Sequence, residues 1–209
     1  MNYQLELEKT LENISKLDQR PTLLLHACCG PCSSYVLEYL NKYFDITILY
    51  YNPNIYPAEE YYRRKDELKK FLSEFKLEND INLVEDDYIP SEYYNAIKGQ
   101  EELGEKSRRC YSCYELRLER AVKYANENNF DYFTTTLSIS PYKISEWINE
   151  IGGLLEEKYK VKYLYADFKK KNGYKRSLEL SSEYGLYRQD YCGCEFSKNA
   201  RERQIKKGD

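Results

Sequence analysis

The chain lacks the features of a membrane or exported protein. No run of about eighteen apolar residues occurs in its 209 residues, and its first twenty residues are charged and follow a helical pattern. A secretory signal would need a positively charged start followed by a short apolar core, and neither is present. We therefore expect a cytoplasmic protein that makes no membrane contact.

The chain also lacks an excess of positive charge. Its 32 Lys and Arg residues are outnumbered by 35 Asp and Glu residues, so the formal net charge is -3. Binding of nucleic acid through bulk charge alone is not expected at this balance. A basic patch formed locally by neighbouring residues stays open.

Repeats, low-complexity tracts and linkers are missing as well. With a hydrophobic content of 42%, the chain has enough apolar side chains for a core, and we expect one α/β domain over residues 1–209. An N-terminal helix is expected within residues 1–20. The polar segment 98–110 is expected to be a loop or lid, and residues 186–209 form a C-terminal segment that contains cysteines.

Short apolar runs alternate with longer amphipathic runs along the chain. This alternation is typical of βα units and a mostly parallel sheet with helices on both faces. The predicted strands are residues 22–28, 45–51, 81–86, 132–137 and 161–166. The predicted helices are residues 32–44, 58–77, 91–103, 111–128, 143–159 and 174–184.

The seven cysteines fall into three groups. An odd number of cysteines in a chain of cytosolic character does not fit a disulfide framework, so thiolates held for metal or redox chemistry are the better interpretation. The first group lies at the carboxyl end of the first predicted strand, where ligands of open α/β sheets bind. The groups are Cys28, Cys29 and Cys32; Cys110 and Cys113; and Cys192 and Cys194.

The spacing within each group indicates how the sulfurs face. Cys110 and Cys113 are three residues apart at a predicted helix start, where both sulfurs face one side. Cys192 and Cys194 are two apart, so both point the same way in extended chain. Adjacent side chains in extended chain point to opposite faces, so we expect Cys28 and Cys29 to serve two neighbouring centres.

Several metal and thiol sites fit these groups. Tetrahedral zinc or a [4Fe–4S] cluster takes four thiolates, which leaves three for a second, open site completed by water, substrate or Asp190. A structural zinc on Cys110, Cys113, Cys192 and Cys194, a thioredoxin-type dithiol at Cys29 and Cys32, and buried free cysteines are the alternatives. Three clustered groups favour an iron–sulfur site with all seven cysteines as metal ligands.

Two other residues next to the cysteines are candidates for the site. His26, the only histidine, is either a satisfied residue at the end of the strand or a proton source. Asp190 is either an ordinary surface acid or a metal ligand or proton carrier. The candidate catalytic residues are Cys29, Asp190 and His26.

Four stretches together resemble a known family. They are LLLHACCGPCSSYVLEYL, YNPNIYP, RRCYSCYELRLERA and GYKRSLELSSEYGLYRQDYCGCEFS, and they occur in one order and include every cysteine. In these motifs the chain resembles the QueH family of epoxyqueuosine reductases. The first 20 residues and residues 98–107 carry no part of the resemblance.

The resemblance implies the fold, the activity and the cofactors. The fold would be the HUP-type α/β fold of tRNA-modifying enzymes. The activity would be reduction of epoxyqueuosine to queuosine at wobble position 34 of tRNAs with GUN anticodons, the last step of queuosine biosynthesis. A [4Fe–4S] cluster would donate electrons, and an adjacent mononuclear iron would bind the epoxide oxygen. For the cluster we select Cys28, Cys29, Cys110, Cys113, Cys192 and Cys194 as ligands.

The implied partners are tRNA, an unidentified electron donor and no second subunit. Basic and aromatic residues beside the cysteine motifs are the candidates for contact with tRNA phosphates and bases. An ATP-dependent tRNA sulfurtransferase would need a Gly-rich phosphate loop after the first strand, where this chain has CCGPC. A zinc-stapled RNA-binding module is the second alternative. The candidate tRNA-binding residues are Arg108, Arg109, Lys175, Arg176, Arg188 and Tyr111.

Overall fold

The computed structural model describes residues 2–208, and residues 1 and 209, which end the predicted terminal segments, lie outside this range. Five parallel strands form one sheet in the order β3-β2-β1-β4-β5. The α/β fold with a five-stranded parallel sheet is therefore confirmed. The strands are β1 (Thr22–His26), β2 (Asp45–Tyr50), β3 (Asn82–Glu85), β4 (Tyr132–Thr135) and β5 (Lys162–Tyr163).

Helices cover both faces of the sheet. Leu11, Leu37 and Phe71 from the first three helices pack in the core on one face. Leu118 and Ile148 from two later helices pack in the core on the other face. The helices are α1 (Tyr3–Ile14), α2 (Gly30–Leu40), α3 (Ala58–Glu74), α4 (Pro90–Ala96), α5 (Arg108–Glu127), α6 (Ser145–Tyr159), α7 (Gly173–Glu183) and α8 (Glu195–Gly208).

The central strand β1 decides where a ligand can bind. Its sequence TLLLH is almost continuously apolar, as expected for a strand that is covered on both faces. β1 lies between β2 and β4, so the strand order reverses beside it. A crevice opens at the carboxyl ends of the strands at such a point, and His26 and Thr135 are the paired last residues of β1 and β4.

Predicted boundaries at two places beside this crevice, after β1 and after β4, were wrong. The strand predicted over 22–28 ends at His26, and the helix predicted from 32 already begins at Gly30 because Pro31 suits the first turn of a helix. The strand predicted over 132–137 ends at Thr135 and continues as a 3-10 helix, Thr136–Ile139. Both corrections bring irregular backbone to the carboxyl edge of the sheet.

Two segments of the chain also differ from their predicted structure. The helix predicted over 91–103 is α4 alone, and the chain turns at Gly99, whose φ of 80° is left-handed. The C-terminal cysteine segment 186–209 was not predicted to be helical, yet α8 begins directly after its second cysteine. Among the described residues, no helix is long and apolar enough to span a membrane.

The contact between α6 and β5 gives a test of the fold. A Cβ at Gly152 would lie 2.3 Å from the buried ring of Tyr163, whereas a Cβ at Gly153 meets only the hydroxyl end of Tyr165, at 2.7 Å. We expect Gly152→Ala to lower the free energy of unfolding by about 1–3 kcal/mol relative to Gly153→Ala, because overpacking costs about this much. Both variants gain the same helix propensity, so urea denaturation of the pair isolates the packing effect. Equal stabilities would contradict this packing.

Candidate metal and active site

The first cysteine group forms a compact set of three sulfurs at the crevice. The sulfurs of Cys28, Cys29 and Cys32 all lie within 4.8 Å of one another, and the Sγ atoms of Cys28 and Cys29 are 3.7 Å apart. We expected neighbouring side chains to point to opposite faces, and this was wrong. Since β1 has ended at His26, the cysteine pair lies in the turn to α2, where the alternation of a strand no longer holds.

The turn that brings the three sulfurs together is held by the backbone. The amide of Ala27 donates to the carbonyl of Leu49, and the side-chain amide of Asn52 donates to the carbonyl of Ala27. Cys29 is extended, with φ −175° and ψ 165°, and is the N-cap of α2. One turn of helix then returns Cys32 to the same side, so Gly30 and Pro31 act as the bend of a three-thiol loop.

The three thiols influence one another strongly. Hydrogen bonds from Cys29 and Cys32, helped by the positive charges of Lys143 and Arg117, hold the pKa of Cys28 well below its usual value. The same interaction with Cys28 raises the pKa of Cys29 to about 11, and it raises that of Cys32. Negative charge is therefore favoured at Cys28 over Cys29 and Cys32, and three sulfurs this close together suit a shared cation.

The other four cysteines form a second group around the start of α5 and the start of α8. Cys110 and Cys113 lie in the first turns of α5, and Cys192 and Cys194 precede or cap α8. Charge on Cys192 and Cys194 acts on both α5 cysteines, although burial is the larger cause of the raised pKa of Cys110 and of Cys113, whose pKa is about 12. The two pairs, far apart in sequence, thus face each other.

Gly193 allows the chain to bend between Cys192 and Cys194. Its φ is 126°, which side chains disfavour, and a Cβ there would lie 3.0 Å from Nη1 of Arg64. Arg64 is buried, donates to Glu60 Oε1 at 2.7 Å, and donates to the carbonyl of Cys192 at 3.4 Å. The Cys192–Cys194 turn is therefore fixed against α3.

One cavity connects both cysteine groups. Its volume is about 570 Å³, and Cys28 and Cys32 from the first group line it together with three cysteines of the second group. Tyr142, which is 72% exposed, lies at its edge. A cavity of this size accommodates a nucleoside. The second-group cysteines on its wall are Cys110, Cys192 and Cys194.

Two cations beside the sulfurs were missed by the sequence analysis. Burial would lower the pKa of Lys143, but the negative charges of Cys192 and Cys28 outweigh burial and raise it. Arg117 is buried in α5, and its Nε donates to the carbonyl of Cys113 at 3.1 Å. The four-residue spacing from Cys113 to Arg117 was the available signal, whereas Lys143 is 30 residues away from any cysteine motif.

His26 is fully buried and both of its ring nitrogens are used. The carbonyl of Tyr51 accepts from Nε2 at 3.0 Å, which leaves Nδ1 to accept from the hydroxyl of Thr135 at 2.8 Å. Burial, followed by the charge of Arg117, lowers the pKa of His26 to about 4, so its ring is neutral at pH 7. It does not line the cavity. Of the two interpretations of His26, this placement supports the satisfied residue at the strand end over the proton source.

Asp190 and Cys29 occupy different positions relative to the cavity. Asp190 is exposed on the cavity wall, where its Oδ2 accepts from Nε of Arg201 at 3.1 Å. Cys29 is buried behind the wall, and Nε2 of Gln189 donates to its sulfur at 3.3 Å. A molecule in the cavity would meet Asp190 directly but Cys29 only through its neighbours.

The residues predicted to bind tRNA are not all free to do so. Arg109 is 5% exposed, donates to the carbonyls of Glu101 and Leu103, and stacks on Phe196. It therefore holds the 98–107 loop, and its predicted phosphate contact is corrected. Arg176 is engaged by Glu38 at 2.6 Å.

The other four candidates lie at or near the surface. Arg108 is exposed and stacks on half-buried Tyr111 at 4.4 Å, and Lys175 is exposed. Arg188 is exposed on the cavity wall and donates to the hydroxyl of Ser181 at 2.9 Å. Of the six predicted residues, Arg188 is thus an accessible cation at the cavity itself.

Comparisons with known proteins point in one direction. The model of a family described as Epoxyqueuosine reductase QueH matches residues 23–200, which include all seven cysteines. A protein of that name from Streptococcus pyogenes serotype M1 is 44% identical, over 94% of this chain and 78% of its own length. Its namesake in Staphylococcus epidermidis is 41% identical, over 94% and 84%. The Thermotoga maritima protein of that name is 38% identical, over 84% and 90%.

The buried imidazole of His26 predicts a pH dependence of stability. The pKa of about 4 in the folded protein compares with about 6.5 in the unfolded chain, which therefore binds more protons between these values. Above pH 6.5 His26 is neutral in both states, and its contribution to the free energy of unfolding does not change with pH. Below pH 6.5 the free energy of unfolding falls by about 1.4 kcal/mol per pH unit as the pH drops towards 4. We expect His26→Gln to remove this part of the slope.

Urea denaturation from pH 4 to 7.5, in the presence of a metal chelator, measures this slope for both proteins, so that no metal contributes to it. The difference in slope is informative even where the variant is less stable overall. Identical slopes for the two proteins would mean that His26 is not held neutral in the folded state.

Proposed function

The chain belongs to the epoxyqueuosine reductase QueH family, and from this we propose that the cavity between its cysteine groups is where epoxyqueuosine in tRNA is reduced to queuosine. The reaction removes the epoxide oxygen as water and leaves an alkene, which consumes two electrons and two protons. The observation that carries the proposal is the cavity of about 570 Å³, which five cysteines line at the carboxyl edge of the sheet. The modified base of the tRNA would thus lie next to the cysteine-bound centres that supply the electrons.

A metal–thiolate centre fits the residues that surround this cavity. Burying a charge or a donor without a partner is costly, yet Nη2 of Arg64 and Nη2 of Arg117 are buried without a hydrogen-bond partner among the described protein atoms. Both guanidinium groups lie close enough to the cysteines to interact with their charge. Thiolates that bind iron carry negative charge, so they would accept hydrogen bonds from these two donors and balance the charge of Arg117, whereas Glu60 already pairs with Arg64.

We propose that the seven thiols divide between two centres. Tetrahedral metal–thiolate bonds of about 2.3 Å place two sulfurs about 3.8 Å apart, which agrees with 3.7 Å between Cys28 and Cys29. The three-thiol loop therefore suits the mononuclear iron, with a coordination position left open. In a [4Fe–4S] cluster each thiolate binds a different iron, so its four ligands are spread more widely. The proposed cluster ligands are Cys110, Cys113, Cys192 and Cys194.

When bound, the cluster supplies single electrons and the iron supplies Lewis acidity towards oxygen. The protein's own side chains have the remaining tasks. Asp190 is exposed on the wall, and we assign it to proton delivery to the departing oxygen. Lys143, on the wall beside Cys28 and Cys32, adds positive charge where negative charge develops.

The substrate base has to leave the anticodon stack to reach the cavity. Tyr142 offers an exposed ring at the edge for stacking, and Arg188 and Arg201 offer charge for phosphate. We propose a complex of one protein chain with one tRNA, and a separate one-electron donor. We propose a cytoplasmic location, where the seven cysteines would stay as thiols available to metal.

The function is tested with anaerobically purified protein, tRNA that carries epoxyqueuosine, and a strong one-electron reductant. We expect queuosine in the nucleoside digest, measured by mass spectrometry. Tyr142→Ala is expected to raise KM for tRNA about tenfold or more, since base–aromatic stacking contributes about 1–3 kcal/mol, while Tyr142→Phe retains the wild-type KM.

Tyr62 provides the matched control, because it is an exposed tyrosine on α3 that does not line the cavity. Tyr62→Ala is expected to leave KM unchanged. Failure of the wild-type protein to form queuosine while its cluster is intact would refute the proposed function.

The division of thiols predicts the iron content of variants. Cys28→Ser or Cys29→Ser is expected to lose about one iron per chain and to keep the visible absorption of the cluster, because only the three-thiol loop is damaged. Cys113→Ser or Cys194→Ser is expected to lose that absorption and most of the iron. Iron and acid-labile sulfide assays measure both quantities. Loss of all iron from the Cys28 and Cys29 variants would contradict the division.

A further inference from the structure

Arg117 is a buried cation to which the fold gives no carboxylate. Its side chain is 2% exposed and lies on α5, four residues after Cys113. Nε donates to the carbonyl of Cys113, and Nη2 has no hydrogen-bond partner among the described residues. None of the ion pairs formed by the described side chains of residues 2–206 includes it. Full burial of an unpaired guanidinium is too costly to be retained as packing alone.

Arg64 is a comparable buried arginine, but it has a carboxylate partner. Arg64 is 1% exposed, and its Nε is 2.7 Å from Oε1 of Glu60, one helical turn away. The charge of Arg64 is thus balanced within α3. Arg117 has no such neighbour, so its balancing charge has to come from the cysteines around it.

Contacts place Arg117 beside both cysteine groups. Its guanidinium carbon lies 5.8 Å from the centre of the Tyr114 ring, and Tyr114 lines the cavity together with Cys28 and Cys192, while Nε of Arg117 contacts the carbonyl of Cys113. Cys28 belongs to the three-thiol loop, while Cys113 and Cys192 belong to the other group. Arg117 therefore lies where the influence of the two groups overlaps.

We propose that Arg117 is the shared counter-ion of the two thiolate groups, and that its unpaired Nη2 donates a hydrogen bond to a sulfur of the proposed cluster, whose ligand Cys113 lies one helical turn before it. This rests on the proposed function, because it requires iron bound by these cysteines. A cation and an N–H donor next to an iron–sulfur centre favour its reduced, more negative state and so raise its reduction potential. Arg117 thereby makes the centre easier to reduce by the electron donor.

The test is a redox titration of the iron-loaded protein without tRNA, followed by electron paramagnetic resonance. Arg117→Gln keeps an N–H donor but removes the charge, and we expect its midpoint potential to shift to a lower value. Arg117→Lys keeps the charge, and we expect a potential close to that of the wild type. Arg120 gives the control, since it is exposed on the same helix and balanced by Asp86 at 2.6 Å, so Arg120→Gln is expected to leave the potential unchanged.

Every other outcome either supports or overturns the counter-ion role of Arg117. Loss of iron from Arg117→Gln but not from Arg117→Lys supports the counter-ion, because the charge is then required for binding. An unchanged potential in Arg117→Gln overturns it, as does an equal shift, or an equal loss of iron, in Arg117→Gln and Arg117→Lys, since shape rather than charge would then matter. The proposed function fails separately, when wild-type protein with an intact cluster forms no queuosine.

Discussion

The site depends on the balance between thiols and cations, which are all buried or half-buried except for the exposed Cys192. Seven cysteines meet at one edge of the sheet, and Arg117, Arg64 and Lys143 bring positive charge to the same place. Each set would be costly to bury alone, because thiolates repel one another and unpaired cations lose their hydration. Together the negative charge of the thiolates and the positive charge of the cations balance each other, which favours binding of a metal. The turns around the site keep both sets of side chains in position.

The strand order of the sheet determines where these thiols and cations lie. β1 is central, and its neighbours β2 and β4 continue to both sides, so the chain that leaves β1 enters a crevice at the point of reversal. The loop after β1 is anchored by backbone and amide hydrogen bonds to β2 and the segment that follows it. The opposite wall comes from the start of α5 and from the Cys192–Cys194 turn, which Arg64 holds against α3.

Much of this was accessible from the sequence, for identifiable reasons. Periodicity predicted all five strands, and the grouping of cysteines predicted that they lie at the carboxyl edge of the sheet, because both signals are local. The direction of Cys28 and Cys29 was wrong, since it depends on whether β1 ends before or after them. Arg109 was taken for a surface cation, whereas its contacts with Glu101 and Leu103 exist only once the loop has folded. Arg117 and Lys143 were missed because a local sequence pattern does not show which side chains lie close to cysteines from other parts of the chain.

The Cys192–Cys194 turn has a consequence for how the protein is made. One pair of proposed cluster ligands lies in α5, and its complement follows about eighty residues later, after every strand of the sheet. During synthesis the three-thiol loop leaves the ribosome long before Cys194, so the proposed four-thiolate site could be completed only after both of its cysteine pairs have emerged. Under the proposed division of thiols, the cluster would be inserted late, and the five earlier thiols would have to stay reduced until the last two arrive.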